Sequence, residues 1–190
     1  KEIMKDLPPG YFWEWGGESE NSAKAQNALA IFIPHALGAM ILLMVWQFNS
    51  YAKPAIIFIT IPLVLIGAAP GLLITGAFFG FMAILGFLSL AGIIINNAIV
   101  LLDSIQNEID AGAEPYDAIL QACLTRFKPV LMTNLTTILG LVSLMIPPDP
   151  MFFAMAVVIC FGLGAGTLLT LVLVPVLYSL FFRVKARRVE

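Results

Sequence analysis

Residues 81–103 read FMAILGFLSLAGIIINNAIVLLD, and this stretch decides the fold. Asp103 is the first charged residue after Lys53. The run is longer than the roughly 20 apolar residues, at 1.5 Å rise each, that cross a hydrocarbon core of about 30 Å. Two carboxamides, Asn96 and Asn97, stand side by side inside it, where a polar group is costly. A buried soluble helix and a membrane span both fit one such run, so the rest of the chain has to separate them.

It does so by its charges. The gaps between Lys128 and Asp149 and between Asp149 and Arg183 are also free of charge. The chain is 60% hydrophobic and 12% charged, against about 25% charged for a soluble domain. We therefore expect an all-α integral membrane protein. Five spans are predicted, at about 28–48, 55–75, 81–102, 130–146 and 152–182. Unpaired backbone groups are not tolerated in lipid, which makes the spans helices. The alternation that marks a membrane barrel is absent.

The connections break where the chemistry predicts. Asn49-Ser-Tyr-Ala-Lys-Pro54 is a short polar turn, and Thr75-Gly-Ala-Phe-Phe-Gly80 a tight uncharged one. The prolines of Pro147-Pro-Asp-Pro150 stop a helix. Between spans three and four, residues 103–125 carry Ile105, Ile109, Ala113, Tyr116, Ile119 and Cys123 at helical spacing. With Gly112 and Pro115 interrupting, this predicts two short amphipathic helices on the cytoplasmic surface.

Basic residues favour the cytoplasmic side. Lys53, Arg126, Lys128, Arg183, Lys185, Arg187 and Arg188 fall on one side of the predicted topology, and Lys1, Lys5 and Lys24 on the other. The N-terminus is thus expected outside and the C-terminus inside. Residues 1–22 read as the end of an extramembrane domain and residues 23–190 as the transmembrane domain. The segment Leu7–Gly17 suits a strand ending in a turn. No signal peptide precedes the first span, which implies a removed or preceding segment. Cys123 and Cys160 are expected as free thiols. The basic C-terminal cluster suits anionic lipid rather than nucleic acid.

Four stretches, taken in order, carry a family resemblance: LPPGYFWEWGG (7–17), GIIINNAIVLLD (92–103), TRFKPVLMTNLTTILGL (125–141) and LVPVLYSLFF (173–182). Together they resemble the resistance-nodulation-division transporters, in their hydrophobe/amphiphile efflux branch. The resemblance covers essentially the whole chain. It implies the last five of twelve transmembrane helices, preceded by the end of the second periplasmic porter segment. It further implies a trimeric, proton-driven antiporter of the bacterial inner membrane that exports drugs or other amphiphiles. The partners implied are the N-terminal half, a periplasmic adaptor and an outer-membrane channel. The driving force implied is the proton gradient, with no cofactor.

The same resemblance nominates a proton relay. Asn96 falls where drug pumps of this family have a lysine, and Asn97 on an asparagine common to the motif. Arg126 and Thr133 fall on an arginine and a threonine associated with the relay. The family's acidic pair lies in the other half, at positions that correspond to Asn96-Asn97. An asparagine cannot pair by charge, so a relay here works by hydrogen bonding, with two donors and an acceptor oxygen on each amide. The structural alternative is that both amides lock the third span to its neighbours, for about 0.6–2 kcal/mol each. Adjacent residues diverge by about 100° on a helix, so the two need not face the same partner.

Other signals are weaker. No Asp or Glu lies in any apolar run, so this segment alone is not expected to move protons. His35, the single histidine, is either a relay member or a packing residue. Met40 and Met44 suit packing better than a soft-metal path. Gly162-Leu-Gly-Ala-Gly166 suits close helix contact. No phosphate loop, zinc cluster or hydrolase arrangement is visible, so neither a catalytic site nor a metal site is expected, and the chain is not expected to be an enzyme. Two alternatives to the pump stand: a free-standing membrane subunit that packs against a partner half, and a protein-export accessory relative.

Overall fold

The computed structural model describes residues 18–149 and 151–184. It contains five helices: α1 (Glu18–Phe48), α2 (Ala52–Thr75), α3 (Phe81–Asp110), α4 (Pro115–Met145) and α5 (Phe153–Phe181). All five are long and apolar enough to cross a membrane. The predicted strand at 7–17 and the basic residues from Lys185 onward lie outside the described residues. The chain divides into two compact units, residues 1–40 and 41–190. The domain boundary expected at 22/23 falls inside α1. In the first unit, Lys24 and Glu20 form an ion pair one turn apart on α1.

The second unit is a bundle in which α5 packs against α2, α3 and α4. Its core gathers Ala68 of α2, Ala83, Leu90 and Ile94 of α3, and Val158 and Leu163 of α5, all fully buried. Lipid is as apolar as leucine, so helix association here rests on close contact rather than on escape from water. Small residues give that contact, as predicted for 162–166. A Cβ on Gly67 would lie 2.8 Å from Ala165 Cβ and 3.1 Å from the Gly162 backbone. One on Gly162 would collide with Leu90, and one on Gly166 would lie 2.5 Å from Ile94. Both free cysteines are present as expected, Cys123 half-buried and Cys160 buried. Along α2, α4 and α5 an apolar groove of about 530 Å³ is walled by Pro70, Val142 and Phe161.

The 103–125 connection differs from expectation. It forms no separate surface helices: α3 simply continues to Asp110 and α4 already begins at Pro115. At 30 residues α3 is about 45 Å long, well beyond a core of about 30 Å. No breaker stands between Leu102 and Asp110 to stop it at the membrane edge. The reversal comes at Gly112, whose φ of 93° suits a residue without a Cβ. Pro115 then takes the first helical position, where its missing N–H costs nothing.

The turn expected at 49–54 is shorter than read, since α2 already begins at Ala52; those after α2 and α4 fall where expected. Gly76 closes α2 in the left-handed conformation, its N–H donating to Leu72 O. After α4, Asp149 Oδ1 accepts from the N–H groups of Met151 and Phe152, each at 2.9 Å. At the opposite end of the bundle Lys53 is 5% exposed. Its Nζ donates to Gln106 Oε1 at 2.6 Å and lies 5.2 Å from the Phe48 ring centroid. Gln106 in turn donates to Asp110 at 2.7 Å, so a buried cation is partnered rather than stranded.

Candidate functional site: the polar residues of α3, α4 and α5

Asn96 and Asn97 take opposite surroundings, as their angular offset allows. Asn96 is exposed on the outer face of α3. It shares that face with exposed Ser89 and Gly92, at spacings of three and four. Nothing lies within 4 Å of a Cβ built on Gly92. Asn97 instead turns inward, toward α4 and α5. Its Nδ2 is buried and meets no hydrogen-bond partner.

Arg126 stands in the first half of α4, half-buried, and its Nε donates to Ser104 Oγ of α3 at 2.5 Å. Asn97 and Arg126 line one small cavity of about 10 Å³, together with Val130, Thr167 and Thr170. Thr133 does not join them. It is exposed, and its hydroxyl donates to Pro129 O of its own helix at 2.6 Å. Thr136 and Ser143 also donate to their own helix backbone and, with Gly140, continue an exposed small and polar stripe along α4. His35 is exposed on α1, with Nδ1 2.8 Å from Ile31 O. The structure thus brings together Asn97 and Arg126, and leaves Asn96 and Thr133 on outward faces.

Two residues were missed in the sequence. Asn134 is 6% exposed, and its Nδ2 donates to Thr167 Oγ1 at 2.6 Å, joining α4 to α5. Thr167 passes its own hydrogen to Leu163 O at 2.5 Å. The signal for Asn134 was present: a carboxamide in the middle of an uncharged run needs a partner. Among the described residues no group of three His, Cys, Asp or Glu side chains is placed to hold a metal ion.

The family model described as the AcrB/AcrD/AcrF family matches residues 1–182. The nickel and cobalt resistance protein CnrA of Cupriavidus metallidurans is 32% identical over 186 residues, 96% of this chain and 17% of that protein. The cobalt-zinc-cadmium resistance protein CzcA of the same organism is 33% identical over 180 residues, 93% of this chain and 17% of that protein. A crystal structure of a heavy metal efflux pump superposes with a TM-score of 0.76 at 30% identity, covering 96% of this chain and 19% of that one. The chain therefore spans about a fifth or less of the length of these relatives. Their names speak of metal ions, and they lend no support to the drug and amphiphile branch expected from the motifs. Five membrane-spanning helices, the matched motifs and these relatives lead to one conclusion: the chain belongs to the AcrB/AcrD/AcrF family, the resistance-nodulation-division efflux transporters.

Proposed function

We propose that this chain forms the closing five-helix part of the membrane domain of a proton-driven efflux transporter whose substrate is a divalent transition-metal cation. The observation that carries the reading is the outer face of α3. Ser89, Gly92 and Asn96 leave small and polar groups exposed at the depth of a span. Such a face suits another helix better than lipid, because small residues permit close approach and the amide needs a partner. The partner is the N-terminal half of the same transporter. In this reading Asn96 hydrogen-bonds to a carboxylate of that half when the carboxylate is ionised, and rearranges when it is protonated. Protons move on groups outside this chain, and Asn96 orients them. No cofactor enters, and the solute is moved without chemical change.

The remaining features follow from the family. The chain lies in the bacterial inner membrane with its N-terminus outside and its C-terminus in the cytoplasm, a placement supported by its lysines and arginines. The assembly is a trimer that works with a periplasmic adaptor and an outer-membrane channel. Lipid covers the exposed apolar faces of α2, α4 and α5. The metal substrate rests on the relatives' names, and the residues that select it lie outside this chain.

The test uses the intact transporter in proteoliposomes under an imposed pH gradient. Cobalt, nickel or zinc should move against protons, and a protonophore should stop the flux. Transport of an amphiphilic dye without any metal flux would overturn the substrate while leaving the transporter. Metal flux indifferent to the gradient would overturn the proton drive.

A further inference from the structure

The cavity between α3, α4 and α5 carries an inference of its own. Asn97 Nδ2 is buried on one wall without an acceptor. An unmet buried donor keeps its full desolvation cost. Thr167 and Thr170 stand on another wall, and both have already committed their hydrogens. Thr170 Oγ1 donates to Gly166 O at 2.7 Å, and Thr167 Oγ1 donates to Leu163 O at 2.5 Å while accepting from Asn134. A hydroxyl oxygen has two lone pairs. Two therefore remain on Thr170 and one on Thr167.

The cavity needs an occupant that accepts from an amide and donates to hydroxyl oxygens. Its volume of about 10 Å³ matches the roughly 10–15 Å³ that one water requires, and nothing larger fits. The Arg126 guanidinium on the wall disfavours a cation, and the threonine lone pairs disfavour an anion. We propose that this cavity holds one ordered water, accepting from Asn97 Nδ2–H and donating to Thr170 Oγ1 and Thr167 Oγ1. Asn97, the water, Thr167 and Asn134 then form one polar chain across three helices. The chain is separate from the outward face of Asn96, and it stands whether or not the protons travel as proposed above.

Radiolytic hydroxyl labelling of the intact transporter in ¹⁸O water, read by mass spectrometry, tests this. An ordered internal water labels the side chains beside it. Leu101 borders the cavity, and Leu90 belongs to the dry core. Labelling of Leu101 should exceed that of Leu90 several-fold and fall to the Leu90 level in Asn97→Leu. Equal labelling of the two leucines in the native protein overturns the proposal. So does strong Leu101 labelling that survives in Asn97→Leu. If Asn97→Leu does not accumulate in the membrane, the near-isosteric Thr170→Val is read in its place: loss of the excess supports the water, and an unchanged excess overturns it.

Discussion

Asn96 and Asn97 differ by one position and by their whole surroundings, and the angular step of a helix is the cause. The sequence shows that two amides need partners, but which way each faces depends on where α4 and α5 pack. That packing also separates Thr133 from Asn134. A threonine can satisfy itself on its own backbone, and Thr133 does so. An asparagine is less easily satisfied that way, and Asn134 crosses to Thr167. The difference predicts stability. Thr167→Val leaves the Asn134 amide buried without its acceptor and should lower stability by about 1–2 kcal/mol. Thr136→Val removes a hydroxyl that serves only its own helix, and should stay within about 0.5 kcal/mol. Thermal melts of the purified transporter distinguish the two, and equal midpoints would count against a structural role for the α4–α5 bond.

At the scale of the element, hydropathy locates the part of a helix that meets lipid. It does not locate the ends. The five spans were legible because charge vanishes from them. The extensions of α3 to Asp110 and of α4 back to Pro115 were not, since those turns are polar and resemble a surface segment. The glycines were legible as a class, but their roles separate only in three dimensions. Gly67 meets backbone and Ala165, whereas Gly164 has nothing within 4 Å of a built Cβ. Gly67→Ala should therefore overpack the α2–α5 contact at a cost of about 1–3 kcal/mol. Gly164→Ala should be neutral or slightly stabilising, because alanine favours a helix by up to about 1 kcal/mol over glycine. Similar losses at both sites would contradict the α2–α5 geometry. Gly112→Ala places a side chain at a φ of 93° and should cost about 1–3 kcal/mol. A melt unchanged by that substitution would mean that the α3–α4 reversal takes another form.

At the scale of the whole molecule, within residues 41–190 α2, α4 and α5 pack against α3 and leave its face of Ser89, Gly92 and Asn96 open. The family was legible from four motifs, because their order and spacing span the chain. The substrate was not, and the motifs led toward amphiphiles while the relatives' names lead toward metal ions. A bulky residue on the open face should separate folding from assembly. Gly92 is exposed and a Cβ built on it has nothing within 4 Å, so Gly92→Leu should leave membrane insertion unchanged. In the intact transporter it should hold the partner helix away and reduce the yield of assembled protein. The most direct test of the account is proton-coupled efflux by the intact transporter carrying Asn96→Leu, at matched expression, beside Asn96→Gln. Efflux should fall several-fold in the leucine variant and be partly retained in the glutamine variant, which keeps the amide. Efflux by Asn96→Leu at the native rate would contradict it.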